Sequence, residues 1–248
     1  MIKEAAELIR KGKRVTAFTG AGISVESGIP PFRGPEGLWN RYDPKILEIN
    51  YFRHNPEQSW MVIKKIFYDF FGTAKFNKSH KALAVLEEKK LLSSIITQNI
   101  DNLHQEAGSR VVHEYHGNSK RLVCMDCGEF FPSSEIDLNS LPPLCSSCGS
   151  GLLKPDFIFF GEPIPEPAGS NSIDDAERSD VFLIIGTSGE IMPASMIPYA
   201  AKKNNSKIIE INTERSSFTN SITDIFLQGK ATETLSKLLE AVLKTPLL

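Results

Sequence analysis

Cysteine is scarce in this chain, with four in 248 residues. All four fall in two identical pairs, Cys124-x-x-Cys127 and Cys145-x-x-Cys148, separated by seventeen residues and each followed by a glycine, Gly128 or Gly149. None is left over for a nucleophile. No charge of one sign predominates either: 28 lysines and arginines face 30 acidic residues, for a net charge of −2. That balance argues against a nonspecific nucleic-acid or membrane-surface binder. Long apolar runs are missing too. Stretches such as residues 181–185 fall far short of the roughly 20 apolar residues needed to span a bilayer. There is no low-complexity segment, no repeat beyond the cysteine pairs, and no hydrophobic export signal ahead of residues 2–10. The expectation is a soluble globular protein of the cytoplasm.

Two thiolates two residues apart grip one face of a tetrahedral metal from a tight turn, and a second such knuckle closes the site. The spacing matches a zinc ribbon with Cys124, Cys127, Cys145 and Cys148 as ligands. Four sulfur ligands leave no open position for water or substrate, so one structural zinc is expected. Two disulfides would suit a secreted chain, and a redox Cys-x-x-Cys needs no matched partner. Residues 129–144, between the pairs, are acidic to neutral and lack a nucleic-acid footprint.

Helical spacing of Ile2, Ala5, Ala6 and Ile9 predicts an N-terminal helix ending near Gly12. Short β-branched runs predict strands at residues 15–19, 94–97, 181–186 and 207–212, with a weaker one at 224–227. Helical patterns lie between them at residues 79–88, 101–107, 174–178, 194–203 and 232–243. This alternation predicts an α/β fold, a Rossmann-like doubly wound parallel sheet covered on both faces. Two stretches interrupt it: an aromatic-rich insertion at residues 35–77, with a helical run at 56–71, and the cysteine module at 121–153. The expected division is a body of residues 1–34, 78–120 and 154–248 carrying a smaller domain built from the two insertions. A ligand is expected at strand C-terminal ends, between the two.

The first strand runs into Gly20-Ala21-Gly22-Ile23-Ser24. Glycines there let a backbone approach a diphosphate. The dinucleotide fingerprint is incomplete, because Val25 stands where its third glycine belongs and no acidic residue closes a second strand about twenty residues on. A plain dehydrogenase is disfavoured. The next loop, Gly28-Ile29-Pro30-Pro31-Phe32-Arg33-Gly34 followed by Gly37-Leu38-Trp39, reads either as a cofactor loop or as a surface turn with a buried Phe. Gln98, Asn99, Ile100 and Asp101 follow a strand end, placed to recognise a carboxamide or ribose, to cap a helix, or both. His116-Gly117 sits where the body meets the cysteine module, and histidine is the side chain most readily poised as a base near neutral pH.

Taken together, these motifs, with Phe160-Gly161-Glu162, Gly186-Thr187-Ser188 and Ile211-Asn212, occur in the order found in sirtuins. The chain resembles a compact prokaryotic-type sirtuin, an NAD-dependent protein lysine deacylase, over nearly its whole length. The resemblance implies that Gly20, Ala21, Gly22, Ile23, Phe32, Arg33 and Trp39 wrap NAD. Gln98, Asn99, Ile100 and Asp101 would receive the nicotinamide carboxamide and ribose. Gly186, Thr187 and Ser188, with Asn212, Thr213, Lys230 and Ala231, would hold the adenosine half. An acylated peptide would lie as a strand between Phe160, Gly161 and Glu162 on one side and Gly189, Glu190 and Ile191 on the other.

In the mechanism the resemblance implies, the acyl oxygen displaces nicotinamide and His116 then acts as general base, with Asn99 and Asp101 beside it. The products are nicotinamide, free lysine and 2′-O-acyl-ADP-ribose. The expected partners are acylated lysines on proteins, chromatin proteins or metabolic enzymes, with neither membrane nor direct nucleic-acid binding. Protein mono-ADP-ribosyl transfer and a non-catalytic NAD-binding zinc protein are the alternatives. Three departures stand out. Pro31 replaces the Asp or Thr of many sirtuins. Ile63 and Ile66 fall where succinyl-preferring members carry a Tyr-x-x-Arg pair, so apolar acyl groups are expected over succinyl. Glu190 would favour basic residues beside the target lysine.

Overall fold

The structure, a computed structural model, describes residues 1–34 and 37–243. Six parallel strands form its main sheet: β1 Val15–Thr19, β2 Ser94–Thr97, β3 Val112–Glu114, β7 Val181–Ile185, β8 Lys207–Asn212 and β9 Ile225–Gln228. Their spatial order is β3-β2-β1-β7-β8-β9. The chain winds outward in one direction from β1 and in the other from β7, so the topology reverses between those two strands. This is the Rossmann-like arrangement expected, with its ligand crevice at the reversal.

The all-apolar runs become central strands because both faces are covered. Side chains alternate between two cores. Ala17, Leu183 and Ile209 pack with Ala5, Ile9, Leu83 and Leu238 from α1 Ile2–Lys11, α4 Lys78–Glu88 and α8 Ala231–Leu243. Phe18, Phe182, Ile184 and Ile208 pack on the opposite face with Ala176, Ile197 and Ala201 from α6 Ala168–Glu177 and α7 Met196–Lys203. α5 Leu103–Ala107 follows β2. The helix predicted at residues 174–178 starts six residues early: Gly169, Ser170, Asn171 and Ser172 are weak helix formers, and the turn is held by Glu166, which accepts the Ser170 amide and hydroxyl. β3 was not expected: it is three residues long and half-buried throughout.

A third core gathers Phe52, Trp60, Ile63 and Phe67 with Leu122, Leu153, Phe157 and Phe159. The first group comes from α2 Ile49–His54, α3 Pro56–Ile63 and the wider π-helical turn Lys64–Phe70. The second comes from a three-stranded antiparallel sheet of β5 Phe130–Pro132, β4 Gly117–Cys124 and β6 Leu153–Phe157, in the order β5-β4-β6, and from Phe159 just beyond β6. The Trp60 indole N–H donates to the Leu153 carbonyl at 2.9 Å, tying helices to sheet inside that core. The expected start of the insertion at Pro35 and the last five residues of the chain lie outside the described residues. Among the described residues, no helix is long and apolar enough to cross a membrane.

Candidate active site

At the reversal point the main chains of β1 and β7 continue past their strand ends in direct contact. Gly22 N–H donates to the Gly186 carbonyl at 2.8 Å and Gly20 N–H to Ile185 at 3.0 Å. A Cβ on Gly22 would lie 2.6 Å from the Gly186 Cα, and one on Gly186, at φ +63°, would lie 2.5 Å from the Ile23 nitrogen. Only glycine permits this approach, and the result is a cradle lined by backbone rather than side chains.

Neighbouring strand ends add polar groups by direct contact. The Gln98 amide donates to Thr187 Oγ1 at 3.2 Å, and the Asn212 amide to the Thr187 carbonyl at 3.0 Å. Thr213 N–H donates to Asn212 Oδ1, and Gly229 N–H to the Asn212 carbonyl, which brings Lys230 and Ala231 alongside. Residues 20–23, 98, 186–188, 212–213 and 230–231 therefore lie along the C-terminal ends of the parallel strands.

Behind the cradle lies a buried polar chain. Asn99 donates to the Gly20 carbonyl and to Ser24 Oγ, each at 3.2 Å. The Ser24 hydroxyl donates to Asp101 Oδ2 at 2.7 Å, while Asp101 Oδ1 accepts the Leu103 amide at 3.0 Å. Asp101 thus caps α5 and faces the site at once. Burial raises its pKa, partly opposed by the Leu103 amide and the Ser24 hydroxyl. His80 Nδ1 accepts the Asn77 amide, which leaves the proton on Nε2 to be donated to Ser24 Oγ at 3.3 Å. Burial holds His80 down at about 4. His104, whose Nε2 meets Thr19 Oγ1 at 2.9 Å, is likewise lowered well below 6.5 by burial and by His80, its ring 4.9 Å away. Ser24, His80 and His104 were not among the expected site residues. Ser24 sits inside the glycine motif, but the two histidines carry no local signal and meet only in the fold.

His116 lies between β3 and β4. Its Nδ1 is 3.0 Å from the Gln98 carbonyl, which can only accept, so the proton is on Nδ1 and Nε2 keeps its lone pair. Burial lowers its pKa, and the Gln98 carbonyl offsets part of that shift. The ring is neutral and oriented, with a free Nε2 able to take a proton. Gly117, at φ +75°, is required because a Cβ there would collide with the Asp156 carbonyl. In the loop after the cradle, Phe32 packs on Trp39 at 5.3 Å and on Phe67 at 6.5 Å. Arg33 is exposed.

On the side of the third core, the Phe160 main chain is already engaged: its N–H donates to the Leu47 carbonyl at 2.7 Å and its carbonyl accepts from Ile49 at 3.1 Å. Gly161 follows at φ +93°. Glu162 accepts the Phe159 amide and pairs with Lys154 at 3.0 Å. Lys154 is buried, donates to the Pro155 and Phe157 carbonyls, and lies 4.3 Å from the Phe159 ring centre. A cavity of about 530 Å³ opens beside Glu48, Arg53, Phe160 and Glu162. On the other side, Gly189 is held by Ser217, which donates to its carbonyl at 3.0 Å, while the Ser188 hydroxyl donates to Glu190 at 3.3 Å. Ile191 is half-buried.

The four cysteine sulfurs lie within 4.8 Å of one another. Main-chain amides of Asp126, Cys127 and Gly151 point at them from 3.3–3.5 Å. Four thiols with amide donors around them suit a tetrahedral zinc and leave no position for substrate. Gly128 and Gly149 take the left-handed conformation that each knuckle needs. Cys124 ends the strand that His116 precedes; Gly117 pairs with Phe157 and Cys124 with Leu153, four residues apart on β6, so at about 3.3 Å per residue the metal site is roughly 13 Å along the sheet from the residue after His116. It is support rather than reagent.

Fold and site define a Rossmann-like nucleotide-binding protein with an oriented histidine past the C-terminal end of its sheet and a four-cysteine site in an adjoining antiparallel sheet. The Sir2 family model matches residues 20–193, and the chain belongs to that family, the sirtuins. It is 43% identical over 241 residues to NAD-dependent protein deacylase 2 of Pyrobaculum aerophilum, covering 96% of this chain and 94% of that protein. A structure solved for the mechanism and regulation of Sir2 enzymes superposes with a TM-score of 0.89 at 43% identity, covering 97% of both chains. A Sir2–p53 peptide–NAD+ complex superposes with a TM-score of 0.89 at 33% identity, covering 97% of this chain and 98% of that one.

Proposed function

We propose that this protein is an NAD-dependent protein lysine deacylase, which releases nicotinamide and free lysine and transfers the acyl group to ADP-ribose. The observation that carries the reading is His116, a neutral imidazole with its proton pinned on the Gln98 carbonyl and Nε2 free, linked through the Gln98 amide to Thr187 at the glycine cradle. NAD supplies the ribose that receives the acyl group and nicotinamide as the leaving group.

The chain's own residues then have distinct tasks. Gly20, Ala21, Gly22 and Ile23 admit the diphosphate closely, with Gly186, Thr187, Ser188, Asn212, Thr213, Lys230 and Ala231 beside the adenosine half. Gln98, Asn99, Ile100 and Asp101 hold the nicotinamide end. Phe32, braced by Trp39, shields the reacting centre from water while Arg33 meets a polar group of the cofactor. His116 takes a proton at Nε2 while Nδ1–H stays on Gln98. Cys124, Cys127, Cys145 and Cys148 hold zinc, and residues 1–34, 78–120 and 154–248 form the body beneath the smaller domain.

The acylated peptide lies between Phe160, Gly161 and Glu162 and Gly189, Glu190 and Ile191. The Phe160 main chain is already paired with Leu47 and Ile49, so Gly161 and Glu162 supply the strand contacts on that side. Ile63 and Ile66 are both buried in the third core, which supports acetyl and longer apolar acyl groups over succinyl. Acylated chromatin proteins or metabolic enzymes in the cytoplasm are the substrate class, in keeping with four unpaired thiols.

One experiment tests the set. Acetyl, myristoyl and succinyl forms of one peptide, with basic or neutral flanks, are incubated with NAD and the products read by mass spectrometry. The expected result is peptide-dependent nicotinamide and 2′-O-acyl-ADP-ribose, least with succinyl and most with basic flanks. Transfer of ADP-ribose onto protein without deacylation refutes the function, and fastest turnover on succinyl refutes the acyl preference.

A further inference from the structure

Glu26 lies in the short turn Val25–Ser27, two residues beyond Ser24, and its carboxylate reaches a residue 206 positions away. Oε2 accepts the Thr232 amide at 3.0 Å and Oε1 accepts the Thr232 hydroxyl at 2.6 Å. Thr232 is the second residue of α8, so its amide is one of the donors a helix start leaves without an internal partner. The cap usually comes from the residue just before the helix. Here that residue is Lys230, whose side chain has no acceptor. Glu26 supplies the cap from across the fold.

This clamp joins two segments that the proposed function assigns to NAD. On the α8 side, the turn through Lys230 and Ala231 is held to β8 by the Gly229 bond to Asn212 at 2.9 Å. On the other side, the turn that carries Glu26 also carries Ser24, bonded to Asp101, and Ser27, whose hydroxyl accepts from Asn77 at 3.0 Å. One carboxylate therefore fixes the adenosine wall to the turn that sets the polar chain at the nicotinamide end. We propose that Glu26 is a positioning residue for NAD, acting through Thr232 and resting on the NAD-binding reading above. It holds the start of α8 in register with the glycine cradle, so its loss weakens the adenosine end of the cofactor without touching the chemical step.

The test is a set of variants read by NAD and peptide kinetics, ADP-ribose calorimetry and thermal unfolding. Loss of a helix cap of this kind changes an equilibrium constant by about five- to tenfold. Glu26→Ala is therefore expected to raise the KM for NAD and the Kd for ADP-ribose by that factor. Its kcat and peptide KM should stay within about twofold, the signature of lost uniform binding. Glu26→Gln keeps an acceptor for the amide and a donor for the hydroxyl, and should restore most of the affinity. Thr232→Val should give a smaller loss alone and none in the Glu26→Ala background. A lowered melting temperature with unchanged NAD KM and ADP-ribose Kd makes the clamp merely structural and overturns the proposal. A Gln variant as impaired as Ala does the same. The Gln and Val variants keep the question answerable should Glu26→Ala fail to fold. If the unaltered protein binds neither NAD nor ADP-ribose, the NAD reading itself has failed, and that is seen before any variant is made.

Discussion

At one end of β4 the chain buries a neutral imidazole, and at the other it gathers four thiols around a space that suits a metal. The first arrangement uses burial to keep a group uncharged: removal from water lowers the His116 pKa while a single carbonyl orients the proton. The second needs the opposite state, because thiols ligate zinc as anions and their charge is answered by the ion. The same strand thus joins the proposed base that precedes it to a fastening at its far end. The three-stranded sheet has short outer strands and shares its core with the helical insertion, so it has little apolar mass of its own and depends on that fastening.

The largest expected effect separates the two ends. Cys145→Ser should lose zinc by elemental analysis and lose the ordered small sheet, since structural zinc binding is folding free energy. Activity disappears with the fold. Its retention in a zinc-free Cys145→Ser protein would break the comparison. His116→Ala should instead reduce kcat by about 10²–10⁴-fold, the usual range for a general base, with zinc content and melting temperature unchanged.

A smaller effect lies between the two ends, at Lys154. Removing one partner of a fully buried ion pair costs about 3–5 kcal/mol; Glu162 is only partly buried and keeps the Phe159 amide, so Lys154→Met, beneath the proposed peptide groove, should cost less than that. A lowered melting temperature and a raised peptide KM are expected, with NAD affinity little changed. Equal losses for both substrates would show that Lys154 serves the whole fold.

The smallest effect is on pH dependence. His80 and His104 both titrate below the ordinary histidine value of 6.5 in the folded protein. Between 6.5 and the folded values the unfolded chain binds more protons, so their contribution to stability is complete above 6.5 and is lost as pH falls. For His80 the window closes at about 4. Melting temperature should therefore hold steady from neutral pH upward and decline below 6.5, less steeply in His80→Asn. An equal decline in that variant would remove His80 from the account.

Legibility in the sequence followed how local each signal is. β1, β2 and β8 matched their expected bounds because apolar β-branched runs between turn residues have few alternative readings. The cysteine pairs and the glycine turn were equally plain, since each rule needs only a few adjacent residues. β3 escaped notice because Val112–Glu114 becomes a strand only by pairing with β2. The run at residues 56–71 read as one helix, yet it widens into a π turn at Lys64–Phe70, where Phe67 packs among Phe157 and Phe71. The chain from His80 through Ser24 to Asp101 joins positions 56 and 77 residues apart, and no spacing rule spans such distances.

The sequence by itself determined the alternating elements, the two cysteine pairs, the glycine turn and the histidine beside Gly117, because periodicity, pair spacing and turn chemistry act over short stretches of chain. Only the tertiary structure decided which nitrogen of His116 is free, which carboxylate caps α8, and that Lys154 lies buried against Glu162. Those outcomes depend on hydrogen bonds and on burial, and both are set by which distant segments the parallel sheet and the third core bring together.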